Sequence, residues 1–84
     1  MEKTLKYRDL LKILRRYAVL EVKRRGKGSE RLLIRTVGGI QYSFPTKCHG
    51  EEDQKPKGVI AALRRRLRLT PSDGVSDEEF YGGG

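Results

Sequence analysis

The spacing of hydrophobic residues changes once in the first half of this chain, from a helical repeat to alternation. Over residues 5–17 the apolar positions recur every three or four residues, which predicts an amphipathic helix with Thr4 as its N-cap. From Val19 onward apolar and polar residues alternate, which predicts strands. A short chain that changes period in this way is expected to pack helices against a sheet, in an α+β fold.

Three strands are predicted, at residues 19–23, 31–36 and 40–44, with the last one ending at Pro45. The glycine-containing segments 26–29 and 37–39 predict short turns, so the strands form an antiparallel meander. In the second strand we expect Leu32 and Ile34 to share one face of the sheet. The face open to solvent is expected to carry Glu21, Lys23, Arg31, Arg35, Gln41 and Ser43.

A second helix is predicted from about Pro56, with an apolar stripe at helical spacing, and Thr70-Pro71 ends it. Ser76 and Glu79 have the spacing of a capping box, so a short helical turn is predicted at 77–81. The resulting α-β-β-β-α order, with two helices on one face of a three-stranded antiparallel sheet, is the arrangement of double-stranded-RNA-binding domains.

Length and composition limit the classes of protein that fit. With 84 residues, 36% of them hydrophobic, the chain builds one small domain, which we place at 1–81, followed by a disordered glycine tail at 82–84. No apolar run resembles a membrane span or a signal peptide, so we expect a cytoplasmic protein. One cysteine and one histidine exclude a disulfide framework and a zinc site, and we expect no metal or other cofactor.

The charge is high and uneven. The net charge is +8, which divides into +12 over residues 1–69 and −4 over residues 70–84. A charge of +12 exceeds the magnitude of about 2–8 that solubility requires, so it favours a polyanionic partner such as RNA. The candidate nucleic-acid-binding residues are Arg24, Arg25, Lys27, Ser29, Lys47, Lys55, Lys57, Arg64 and Arg65.

Short motifs follow one another in order along most of the chain, at residues 6–14, 25–29, 45–49, 58–64 and 75–80. In order and spacing they resemble the HicA (YcfA-like) family of small toxins, and the last, Val-Ser-Asp-Glu-Glu-Phe, is similar to the family's Ile-Ser-x-Glu-Glu-Phe ending. The resemblance implies a double-stranded-RNA-binding-domain fold and mRNA interferase activity. It also implies a HicB-like antitoxin as partner, with the toxin monomeric or bound in that complex.

The chain departs from the family pattern at Glu30, where the family has a catalytic histidine after Gly-Ser. Residues 45–57 also form a longer loop than usual, and residues 70–74 look like an insertion. His49, the single histidine, is our candidate replacement as general acid or base, with a solvated loop histidine as the alternative. Glu30 is a second candidate base, with a surface ion pair to Lys27 or Arg31 as the alternative.

Two neighbouring features have simpler interpretations. Cys48 lies beside His49, but adjacent side chains usually diverge, so a buried or incidental thiol is expected rather than a nucleophile. The acidic run at residues 51–53 is expected to be a solvated charge run rather than a cation site.

Three hypotheses follow. The first is a HicA-like toxin component that binds RNA, cleaves it as a metal-independent endoribonuclease, and is neutralised by a HicB-like antitoxin. The second is a non-catalytic RNA-binding module of the same fold. The third is a basic interaction domain for an acidic protein. With 7% aromatic residues, RNA binding is expected to depend on backbone charge more than on base stacking.

Overall fold

The computed structural model describes residues 4–23, 28–50 and 52–82. The elements are β1 (Leu5–Lys6), α1 (Tyr7–Arg15), β2 (Leu20–Lys23), β3 (Glu30–Val37), β4 (Ile40–Lys47), β5 (Gln54–Lys55), α2 (Lys57–Arg66), a 3-10 turn (Pro71–Asp73) and α3 (Asp77–Gly82). β2, β3 and β4 form an antiparallel sheet in that order, so the predicted α+β class with a three-stranded antiparallel sheet is confirmed. Within the described ranges, no helix is long and apolar enough to cross a membrane.

The ends of the chain differ from the sequence prediction in detail. Leu5 pairs with Lys55 in a second, two-stranded sheet of β1 and β5, where a helix and a loop were expected. Thr4 is therefore not the N-cap of α1, because Lys6 occupies that position without a side-chain hydrogen bond. Gly82 is the last residue of α3, whereas residues 83–84 of the predicted tail lie outside the described part of the chain.

The β3–β4 hairpin depends on two glycines. Gly38 and Gly39 have φ values of 57° and 82°, the left-handed region that both central residues of a type I′ turn occupy. β4 then continues through Pro45 to Lys47, beyond the predicted end. Proline is tolerated there because β4 is an edge strand of the sheet, so the missing N–H costs no ladder hydrogen bond on its outer side.

The core lies between the helices and one face of the sheet. Its buried residues come from α1 and α2, from the segment before β2, from β3 and from the C-terminal segment; they are Leu10, Ile13, Leu14, Val19, Leu33, Ile60, Leu63, Leu67, Leu69, Val75 and Phe80. The Phe80 ring stacks on Tyr17 with 6.1 Å between ring centroids, so the acidic C-terminal segment folds back onto α1. The predicted turn at 77–81 is thereby confirmed as α3, and its Ser76 Oγ accepts the Glu79 N–H at 3.0 Å.

The face of β3 that packs against the helices is the opposite of the one predicted. Leu33 is fully buried, and its cross-strand neighbour Phe44 packs on the same core. By alternation, Leu32 and Ile34 lie on the open face, where their β2 partners Val22 and Leu20 are also exposed. The predicted placement of Glu21, Lys23, Arg31 and Arg35 on the open face is therefore wrong, while Gln41 and Ser43 do lie there.

Arg35 explains this reversal. Its guanidinium donates to the carbonyl oxygens of Leu67 and Arg68, both at 3.0 Å, and to that of Tyr17 at 3.3 Å. These carbonyls lie at the C-terminal ends of α2 and α1, where backbone acceptors lack partners within the helix and a cation is favourable. Arg35 therefore belongs under the helices, and the alternation of β3 then places Leu33 beside it in the core.

Arg64 joins α2 to the C-terminal segment. Its Nε donates to the Leu69 carbonyl at 2.8 Å, its Nη2 to the Val75 carbonyl at 3.0 Å, and its Nη1 to Asp77 Oδ1 at 2.7 Å. The guanidinium also lies 4.5 Å from the centroid of the Phe80 ring. With 4% of its surface exposed, Arg64 is a structural cation.

We expect Arg64→Met to lower the free energy of unfolding by at least about 2 kcal/mol, because two buried carbonyls lose their donor. Arg65→Met, the matched control at an exposed position one residue along α2, should change it by less than about 0.5 kcal/mol. Urea denaturation of both variants measures the difference. Equal stabilities would contradict the structural role of Arg64.

Candidate nucleic-acid interface

One end of the β3–β4 ladder brings together residues that are distant in sequence. Glu30 and Lys47 are direct cross-strand partners, and the Cys48 N–H donates to the Ser29 carbonyl at 2.7 Å. His49 follows directly and is exposed. Both candidate catalytic residues, Glu30 and His49, therefore lie at the same end of the hairpin as Lys47, in what we call the Glu30–His49 cluster (Ser29, Glu30, Lys47 and His49).

The loop that carries His49 is tied to the body of the protein by Asp53. The Asp53 carbonyl accepts the Tyr7 N–H at 2.8 Å, and one carboxylate oxygen accepts the His49 N–H at 3.4 Å. Cys48 is buried and its thiol donates to the Gly50 carbonyl at 3.2 Å. The backbone around His49 is thus held in place, while the His49 side chain faces solvent.

Lys55 has a structural position. It is 8% exposed, its Nζ donates to the Lys47 carbonyl, and it pairs with Asp53 Oδ2 at 3.2 Å. The ammonium also lies 5.7 Å from the centroid of the Tyr7 ring. Lys55 and the buried Arg64, both predicted to bind nucleic acid, are therefore not part of the exposed basic surface.

Glu52 and Asp53, the described residues of the acidic run, are paired with cations. Glu52 contacts Lys6 at 2.8 Å and Arg8 at 2.7 Å, and Asp53 contacts Lys55. Among the described residues, no group of three or more His, Cys, Asp and Glu side chains is placed to hold a metal ion.

The remaining predicted nucleic-acid-binding residues divide into those that the structure describes and those that it does not. Lys47, Lys57 and Arg65 are exposed, and Ser29 is half-buried. Arg24, Arg25 and Lys27 lie outside the described residues.

A groove of about 350 Å³ runs between β4 and α2, lined by Phe44, Ala62, Arg65 and Arg66. Arg65 and Arg66 are both exposed, and Phe44 is half-buried at the edge strand. We call this feature the β4–α2 groove. Phe44 and Arg66 were not among the sequence candidates, although the arginine run at the end of α2 pointed to this region.

The direction of α2 places cations at both ends of the β4–α2 groove. Lys55, just before α2, contacts the Lys47 carbonyl at the end of β4, so the exposed Lys57 lies near that end. At the other end, the Arg68 guanidinium lies 5.2 Å from the centroid of the Tyr42 ring, near the start of β4. α2 therefore runs antiparallel to β4, and positive charge follows the groove along its length.

A larger cavity of about 470 Å³ lies beside α3, but its chemistry differs. Its lining includes Ser76, Glu78 and Glu79, so it carries negative charge. That charge repels a polyanion, and the β4–α2 groove is the better candidate for a nucleic-acid interface.

Comparison of the chain with protein-family models, with curated proteins and with solved structures finds no match. The resemblance to the HicA family therefore stays a prediction based on the motifs themselves.

The Lys55 ammonium, and after it the N–H of His49, hold the pKa of the Asp53 carboxyl below its usual range. A folded pKa below the unfolded value of about 3.9 adds stability above that pH, and the stability is lost as the pH falls through the lower folded pKa. We expect the urea concentration at the unfolding midpoint of the wild type to decrease when the pH is lowered below about 4. Asp53→Asn should be less stable at neutral pH and lose less on acidification, and parallel curves for the two proteins would contradict this.

Proposed function

We propose that this chain is an RNA-binding protein and that the β4–α2 groove is its RNA-binding surface. The observation that carries the proposal is the pair of exposed guanidiniums, Arg65 and Arg66, lining the same groove as the half-buried ring of Phe44. Guanidiniums bind phosphate oxygens through paired N–H groups, and an aromatic ring offers a stacking surface for a base.

The distribution of charge supports a backbone-directed interaction. Lys57 at one end of the groove and Arg68 at the other extend the positive surface beyond the two arginines. A single phenylalanine accommodates one stacked base, so phosphate contacts supply most of the affinity and sequence preference is weak.

The motifs resembling the HicA family favour RNA over DNA as the polyanion. On this proposal the chain is a HicA-like toxin component, and a HicB-like antitoxin with an acidic surface neutralises it by covering the groove. Charge complementarity of this kind speeds association and sets the choice of partner.

We expect Arg65→Ala/Arg66→Ala to weaken binding of single-stranded RNA and to flatten its salt dependence. Loss of two phosphate contacts should reduce the slope of log K against log [salt] by about 1.4. The matched control Lys12→Ala/Arg15→Ala removes the same charge from exposed positions of α1. Fluorescence anisotropy over a salt series measures both.

Two outcomes would contradict the groove as the RNA site. Equal losses in the α1 and α2 variants would indicate diffuse attraction to the whole basic surface. RNA binding that is absent, or that does not respond to salt, would favour the third hypothesis, a basic domain for an acidic protein partner.

A second candidate function, RNA cleavage, is favoured by the Glu30–His49 cluster. The strand register places Glu30 opposite Lys47, next to the segment that carries His49. An imidazole and a carboxylate can exchange protons with the 2′-hydroxyl and the leaving oxygen, and an ammonium can stabilise charge on the phosphorane. On this view the cluster replaces the histidine that the family has at position 30.

If the cluster cleaves RNA, His49→Ala should lower the cleavage rate by at least about 100-fold while leaving RNA affinity unchanged. Glu30→Gln should also slow cleavage, whereas Glu78→Gln, a matched change on α3, should not. Single-turnover assays with a metal chelator present measure the rates. Absence of cleavage, or full activity in His49→Ala, would instead favour the non-catalytic RNA-binding module.

A further inference from the structure

β2 is an edge strand with an unusual surface. Among the described residues it pairs with β3 alone, so its outer side offers backbone N–H and C=O groups to another strand. Leu20 and Val22 on this strand are 65% and 42% exposed, and a hydrophobic edge strand of this kind favours pairing with a strand of another chain. We infer that a second copy of this chain pairs with β2, antiparallel, and joins the two sheets into one of six strands.

The charges of β2 are complementary to those of a second, antiparallel β2 when the two strands are centred on Val22. In an antiparallel pair, opposite residues lie on the same face, so a twofold axis at Val22 places Glu21 opposite Lys23 of the second copy. The same pair forms again on the other side of the axis. An axis at Glu21 would instead place two carboxylates opposite each other, so charge selects the register centred on Val22.

The side chains in β2 are able to make this contact. Glu21 accepts from Tyr7 at 2.7 Å and lies 3.5 Å from Arg31 Nε, and both contacts use Oε2. No described residue contacts Oε1, so this oxygen is available to a lysine of the second copy. Lys23 is exposed, and its ammonium makes no hydrogen bond or ion pair with another described residue.

The open face supplies the apolar part of the interface. Val22 and Leu20 are the cross-strand partners of Leu32 and Ile34, which lie on the same face and are half-buried. Pairing of β2 with β2 of the second copy makes these two apolar patches continuous and covers part of Leu20 and Val22. The net charge of +8 on each copy opposes association, so the dimer is expected to be weak and to strengthen as salt screens that repulsion.

The inference is independent of RNA binding, since β4 and α2 lie at the opposite edge of the sheet from β2. The dimer leaves both β4–α2 grooves open, one at each outer edge. Failure of the dimer would leave the proposed function intact, and failure of RNA binding would leave the dimer intact.

Sedimentation equilibrium of the full chain, without RNA, tests the inference at about 0.15 M salt, where the Debye length is about 8 Å. We expect the average mass to rise from 9.6 kDa towards twice that value as the concentration increases to about 1 mM. Val22→Lys, which places two ammonium groups at the axis, should stay at 9.6 kDa throughout.

Lys23→Glu is the second variant, at an exposed position where we expect little effect on folding. It replaces two attractive pairs by two carboxylate pairs, so the dimer dissociation constant should rise at least about tenfold. Lys12→Glu makes the same change of charge on α1 and should leave dimerisation intact or strengthen it. A wild-type protein that stays monomeric up to about 1 mM, or Lys23→Glu and Lys12→Glu variants with equal dissociation constants, would overturn the inference.

Discussion

The architecture depends on Arg35, a cation of the central strand β3 whose side chain lies on the helix side of the sheet and not on its open face. Its guanidinium binds carbonyl oxygens at the C-terminal ends of both α1 and α2. Those acceptors have no partner within their helices, and the negative end of each helix dipole attracts the cation. Arg35 thereby fixes where the two helices end relative to β3, and through the alternation of β3 it decides that Leu33 enters the core.

Local patterns were sufficient for the helices and the three-stranded sheet, but not for the β1–β5 pair or for the orientation of the sheet. The helical repeat, the Gly38-Gly39 turn and the cap by the Ser76 hydroxyl all correspond to elements of the fold, because each depends on neighbouring residues. Leu32 and Leu33 are both hydrophobic, and their pattern does not say which one faces the helices. That choice depends on the hydrogen bonds of Arg35 to distant carbonyls, which the sequence does not reveal.

The same limit applies to the candidate site. Charge counting finds a basic protein, but it does not distinguish Lys55 and Arg64, which are buried and hydrogen-bonded inside, from Arg65, which is exposed. Buried cations of this kind are tolerated because carbonyls, a carboxylate and an aromatic face replace their hydration. The place of Phe44 in the groove could not be predicted from the sequence either, because it depends on the packing of α2 beside β4.

The contact of α3 with α1 has a kinetic consequence. Arg16 donates to the carbonyl of Glu79, and Tyr17 stacks on Phe80, across about sixty residues of intervening chain. Closing so long a loop carries an entropic cost that local hairpins avoid, so we expect this contact to form late in folding, after the β3–β4 hairpin. By the same reasoning, we expect α3 to separate early in unfolding, and the contacts of Arg64 with Asp77 and Phe80 to oppose that separation.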